Sequence, residues 1–190
     1  MPRVGLSNLH YAKLIKDGPD GVEYDTPKKI TKLAKATINP QTNSATYYAD
    51  NGPVENYSAL GEIQVELEVG DIPIEVQAEL LGATIKNGVI YNSAEDQPPY
   101  VAIGFEGLKS NGKRIFYWLY KGRFSVPQED LQTLQGTPEY QPEKLVGVFV
   151  KREYDGKWRA KADEEGANFD QSLAQNWFNA VHEEPKDTGA

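Results

Sequence analysis

The chain has 190 residues, 39% hydrophobic, with a formal net charge of −8, no Cys and two His, enough for one sizeable core. Without Cys there is no disulfide framework or thiolate site, and His10 and His182 alone leave few transition-metal or general-base options. The acidic balance argues against sequence-independent nucleic-acid binding, which needs a basic stripe. No run approaches the ~18 apolar residues of a membrane span, and MPRVGLSNLHYAK lacks a signal peptide's apolar stretch, so synthesis in a cytoplasm is expected.

Residues 1–30 read as an N-terminal arm or hairpin. Leu9, Tyr11, Lys13 and Ile15 alternate weakly before the turn-rich Asp17-Gly18-Pro19-Asp20-Gly21. Ile30 to Ile38 can form a strand. Asn39-Pro40-Gln41-Thr42-Asn43-Ser44 and Asp50-Asn51-Gly52-Pro53 then break the pattern twice, so Asn39 to Leu60 reads as one long loop, a length that in compact domains is usually functional or disordered. The adjacent Tyr47 and Tyr48 favour a contact surface there.

Gly61 to Gly82 changes hydrophobic period in its middle. Ile63, Val65, Leu67 and Val69 alternate with Glu62, Gln64, Glu66 and Glu68, predicting a strand with one buried face and one wet, acidic face. Ile72, Val76 and Leu80 then form one stripe of a helix over 71–81, with Asp71 placed to cap its start and Gly82 to end it. Burying those three side chains contributes roughly 1.5–3 kcal/mol each, so the helix is expected to pack on a sheet.

Two short segments flank Lys86-Asn87-Gly88, and Ser93 to Pro99 reads as a loop. Tyr100 to Leu108 and Lys113 to Phe124 flank Asn111-Gly112, a strong hairpin signal. The second strand, with Phe116, Trp118 and Tyr120 on one face and Ile115, Tyr117 and Leu119 on the other, should be central and covered twice. Lys144 to Glu153 and Lys157 to Lys161 suggest another hairpin across Tyr154-Asp155-Gly156. Asp170 to Val181 predicts a short helix with Leu173, Trp177 and Val181 in a stripe, and 183–190 a frayed tail.

The carboxylates invite a glycosidase reading, but Glu62, Glu66 and Glu68 lack any sign of an apolar, pKa-raising pocket, and a solvated sheet face accounts for them. Asp50-Asn51-Gly52 with Glu55 lacks the ligand spacing of a calcium loop. No phosphate-cradling glycine motif occurs. Lys28, Lys29, Lys32 and Lys35 read as edge protection or a salt-bridging surface more readily than as a nucleic-acid contact. Trp177-Phe178 reads as core rather than as a docking anchor.

Taken together, the chain resembles the major tail proteins, or tail-tube subunits, of long-tailed bacteriophages, most similar to the phi13-type group. The likeness rests on Tyr47-Tyr48-Ala49-Asp50-Asn51, on LEVGDIPIEVQAELLG ending at Gly82, on Pro99 to Phe105 leading to Ser110-Asn111-Gly112-Lys113, on Trp118 to Phe124, on Asp155-Gly156-Lys157-Trp158 and on Trp177-Phe178. It covers roughly residues 5 to 182.

The resemblance implies a mainly β (α+β), sandwich- or barrel-like tail-tube fold over 31–182, with one main helix on the sheet and a short C-terminal helix. It implies a non-enzymatic structural subunit, without cofactor or metal, made in the host cytoplasm and carried in the virion tail. Hexameric rings would stack into a tube whose acidic lumen lets DNA pass during genome ejection. Glu62, Gln64, Glu66 and Glu68 would face that lumen, while Tyr47, Tyr48, Asp50 and Asn51 would lie in an inter-subunit loop. Partners would be further copies of the chain and the tape-measure, tail terminator and distal tail proteins, with no membrane contact. Some relatives append an immunoglobulin-like display domain, for which this chain ends too early. An inner tube of a contractile tail or secretion-type injection system, and a carbohydrate-binding or carbohydrate-active β-protein, are the alternatives.

Overall fold

The computed structural model describes residues 1–30, 32–49, 52–127 and 142–185. Its strands are β1 (Arg3–Gly18), β2 (Gly21–Tyr24), β3 (Lys28–Lys29), β4 (Leu33–Ala49), β5 (Gly52–Val69), β6 (Thr84–Lys86), β7 (Val89–Tyr91), β8 (Val101–Lys109), β9 (Arg114–Phe124), β10 (Glu143–Val150) and β11 (Arg159–Asp163). Two helices, α1 (Ile74–Leu81) and α2 (Gln171–Asn176), complete the described elements. The main sheet runs β2-β1-β8-β9-β10-β5-β4, with β11 on β9 and β3 on β1, and every pairing is antiparallel.

The expected N-terminal arm is a hairpin, β1–β2, but it is not set apart. β1 pairs with β8 along most of its length, and Leu9, Tyr11 and Ala12 are buried. A bulge at Asn8, which holds φ 54, lets β1 keep this register.

Residues 39–60 are not a loop. They extend β4 and β5 into one long hairpin, paired in register from Leu33↔Val69 to Ala49↔Gly52. The breakers that suggested a loop are accommodated because β4 ends the sheet's strand order, where proline is tolerated, and because bulges fall at Pro40/Thr42 and Tyr47/Tyr48.

α1 begins later than the spacing predicts. Pro73, φ −53, holds the cap position with no side-chain hydrogen bond, so Asp71 does not cap; proline's fixed φ and missing N–H suit a helix start. Gly82 ends the helix in the left-handed conformation, φ 71. A Cβ there would also meet the Gln97 carbonyl oxygen at 2.4 Å, so both backbone and space require glycine. Ile72 and Leu80 are buried and Val76 packs partly against the same core, with Ala78 and Leu81 adding to the buried side. Glu79 ties the helix to β1 and β3, accepting from Tyr11 Oη at 2.7 Å and Lys28 Nζ at 2.8 Å. Burial pushes the Glu79 carboxyl up, but these hydrogen bonds and the nearby Lys13 and Lys28 charges outweigh it and hold it below the usual range.

β9 separates two cores. Ile115, Tyr117 and Leu119 join Ile63, Val65, Leu67 and Leu80 on one side of the sheet. On the other, Phe116, Trp118 and Tyr120 meet α2 and the C-terminal segment through Ala174, Trp177 and Val181. Opposite β8 the strand carries one extra residue, since Ile103 faces Leu119 while Val101 faces Gly122. Beyond this bulge the alternation changes phase, and Phe124 falls in the first core.

β10 and β11 do not pair with each other. β11 takes the edge of β9 from Ile115 to Leu119, and β10 takes the same edge from Lys121 to Phe124. The chain between them closes on itself through Arg152 N to Lys157 O and Gly156 N to Arg152 O. Alternation in the sequence reported each strand's faces but not its neighbour.

Candidate functional site

The sheet's second face is covered over β8, β9 and β11 by α2, whose start Asp170 caps by accepting from Ser172 N at 2.9 Å. Regular helix stops at Asn176, short of the expected Val181, yet Trp177 and Val181 stay buried. Trp118 Nε1 donates to the Trp177 carbonyl at 3.0 Å. The two histidines bracket this contact: His10 stacks on Phe178 at 4.5 Å and His182 on Trp177 at 4.6 Å. Burial lowers both imidazole pKa values.

The boundary of the covered half is built from buried charges. The Arg152 guanidinium is 1% exposed, lies 3.8 Å from the Tyr120 ring centroid and pairs with Asp155 and, at 2.6 Å, with Glu183. Lys157 pairs with Glu184. The first residues of the expected frayed tail are therefore tied down, because carboxylates there meet cations presented by the 151–158 turn; residues 186–190 lie outside the described set. Alongside, Asp17 accepts from Lys121 Nζ at 2.7 Å and from the Glu153 and Tyr154 amides. Burial alone would raise the Asp17 carboxyl, yet these donors together keep it below its ordinary value.

Past this boundary, over β10, β5 and the first half of β4, none of the described residues covers the same face. Glu62, Gln64 and Glu66 are exposed and Glu68 is half-buried, while Ile63, Val65, Leu67 and Val69 beneath them are fully buried. Sheet register sets neighbours beside this row. Lys144, Val146 and Val148 of β10 oppose Glu68, Glu66 and Gln64, and Lys35, Thr37 and Asn39 of β4 oppose the same three from the other side. Arg123 of β9 faces Val148 and stacks on Tyr100 at 3.9 Å.

The row of carboxylates is thus flanked by Lys35, Lys144 and Arg123. Glu68 is paired with Lys35 at 3.4 Å, a contact so exposed that it adds little stability. Sequence reasoning found the acids and missed these cations, because period-2 alternation identifies a strand's faces but not the strands beside it. The signal available was that Lys35 and Lys144 occupy polar positions of their own strands.

The Lys28–Lys35 cluster is dispersed: Lys28 binds Glu79, Lys29 donates to Asn8 Oδ1 at 2.9 Å, and Lys35 meets Glu68. The backbones of Tyr47 and Tyr48 sit near the end of the β4–β5 hairpin, opposite Glu55 and Pro53, whereas Asp50 and Asn51 lie outside the described residues. Among the described residues, no three His, Asp or Glu side chains converge as metal ligands, and no helix is long and apolar enough to cross a membrane.

The described residues thus form a mainly antiparallel β subunit with two cores and a solvent-facing stretch of sheet. Residues 18–182 match the family model described as phage tail tube protein, and the chain belongs to that family. It is a structural subunit of a phage tail tube, which self-assembles and associates with other tail proteins in the virion. Among curated proteins no match is found.

Proposed function

We infer that this subunit forms hexameric rings that stack into a tube, with the open face of β10, β5 and β4 turned to the bore and DNA passing over it during ejection. The observation that carries the reading is the half-covered sheet. Among the described residues, the chain spends a helix and its C-terminal segment on one half of the second face and leaves the other half exposed, with Glu62, Gln64 and Glu66 beside the exposed Val146 and Val148. Glu62, Gln64, Glu66 and Glu68 would line the bore, and the β4–β5 hairpin end, with Tyr47, Tyr48, Asp50 and Asn51, would reach a neighbouring subunit or ring.

The flanking Lys35, Lys144 and Arg123 refine the electrostatics. A bore with this face is close to charge-balanced rather than strongly acidic. The acids oppose phosphate capture by neighbouring cations, so DNA meets no uninterrupted basic track on which to adhere. Tape-measure, terminator and distal tail proteins would be the other occupants of the tube and its ends.

Negative-stain microscopy of the purified protein, alone and with the tail initiator complex, tests the reading. Sixfold rings or tubes of uniform width are expected. Persistent monomers in the presence of initiator would overturn it.

A further inference from the structure

Three Asn-Gly pairs occur in the chain. Asn87-Gly88 turns β6 into β7, Asn111-Gly112 joins β8 to β9, and the asparagine of Asn51-Gly52 lies outside the described residues. Asparagine is a heat-labile residue, most so before glycine, whose missing Cβ leaves its nitrogen open to close approach. By exposure the first two pairs are alike. Asn87, Gly88, Asn111 and Gly112 all face solvent, and a Cβ added to either glycine meets nothing within 4 Å.

Their bonding differs. Asn111 is held at both ends of its amide: Nδ2 donates to Glu165 Oε1 at 2.6 Å, and Oδ1 accepts from Lys113 N at 3.2 Å. The Gly112 N–H donates to the Lys109 carbonyl at 3.0 Å. Among the described residues, the Asn87 side chain and the Gly88 N–H have no hydrogen-bond partner. The strands behind each turn differ as well. β8 and β9 are buried along most of their length within the main sheet. Among the described strands β6 and β7 pair only with each other, through three residue pairs, and none of residues 84–91 enters either core. A two-stranded hairpin of this kind is marginal and opens at low free-energy cost.

We propose that Asn87-Gly88 is a site of spontaneous covalent modification, where the asparagine converts to aspartate and isoaspartate while Asn111 stays intact. The pair holds a tight turn, with Asn87 at φ 52 and Gly88 at φ 76. Closing a ring through its peptide requires the backbone to leave that turn, so reaction follows opening of the hairpin. The Gly88 nitrogen, its proton taken by hydroxide or buffer base, attacks Asn87 Cγ; the Cγ–Nδ2 bond breaks and ammonia leaves. Water then opens the cyclic imide at either carbonyl, so the net change is one water taken up and one ammonia released. The turn gains a negative charge, and isoaspartate adds a methylene to its backbone, which a two-residue loop does not accommodate. The inference is independent of the tube reading.

Full-length protein aged in mildly alkaline buffer, then digested and mapped by mass spectrometry, tests it. Asn87 should convert faster than Asn111 by more than about tenfold, a ratio that about 1.4 kcal/mol of difference in opening free energy is enough to give. In concentrated urea the two sites should convert at similar rates, because both turns are then absent. Ile85 and Ile90 form the pair next to the turn, a position where a disulfide fits. The Ile85→Cys/Ile90→Cys variant of this cysteine-free chain should convert slowly when oxidised and faster when reduced. Four results would each overturn the inference: Asn111 converting as fast as Asn87 in the native protein, Asn87 unchanged while the urea sample converts, a preference for Asn87 that persists in urea, or equal rates in the oxidised and reduced variant.

Discussion

The Phe149 ring occupies the space above Gly122: a Cβ added to that glycine would meet the ring atoms at 2.3 Å. The relationship is reciprocated two pairs along, where Phe124 lies over Gly147. The two rings meet edge to face at 5.9 Å, so two glycines and two phenylalanines lock the register of β9 against β10.

Gly122→Ala should therefore destabilise the fold by overpacking, by about 1–3 kcal/mol. Urea unfolding followed by tryptophan fluorescence would measure it, with a lowered midpoint and an unchanged slope. Gly18→Ala, where an added Cβ has nothing within 4 Å, is the control and should move the midpoint little.

Arg152→Ala leaves Asp155 and Glu183 without their cation and removes the stacking on Tyr120. Breaking a buried pair costs about 3–5 kcal/mol, and the lower end is expected because Glu183 reaches solvent. Limited proteolysis should release the C-terminal segment faster than in wild type. Glu183→Gln, which keeps the guanidinium's other partners, should have a smaller effect in both assays.

The two histidines give the stability a defined pH dependence. Burial lowers both pKa values in the fold, so the unfolded chain binds protons more readily. Stability from this source is fully present above the ordinary value of 6.5 and is lost as pH falls through it towards the folded values. Thermal midpoints should decline from about pH 7 to pH 5, and His10→Gln/His182→Gln should flatten that decline. Asp17, Glu79, Asp155 and Asp163, all held below their ordinary values, act in the same direction at lower pH, so the double variant should still unfold in stronger acid.

Replacing Glu62, Glu66 and Glu68 with Lys should leave the fold largely intact, since the buried face of β5 is untouched. The new lysines would join Lys35, Lys144 and Arg123. Assembled tubes of this variant should retain duplex DNA with an affinity that falls as salt rises, by a slope of about −0.9 per neutralised phosphate. Wild-type tubes should not retain it. Normal ejection kinetics and infectivity in the variant would count against the bore assignment. Val65→Asp, on the opposite face, should fail to fold.

The sequence was most legible where local chemistry decides the outcome. Asn111-Gly112 gave the β8–β9 hairpin, alternation gave the faces of β5, and Gly82 gave the end of α1. It was least legible where the partner decides. Pro40 reads as a breaker until β4 is known to be an edge, and Lys157 to Lys161 reads as a return strand until β9 is seen to take β10 and β11 in succession. The same limit hid the cations beside the acidic row, which register alone brings there.

The uneven covering of the sheet divides the chain into positions with different judges. On the half beneath α2, a faulty side chain disturbs the subunit's own packing and is met at folding. On the half bearing Glu62, Glu66, Val146 and Val148, it leaves the isolated subunit sound. Such a defect travels undetected in a well-folded molecule and declares itself only when another surface comes to rest against it.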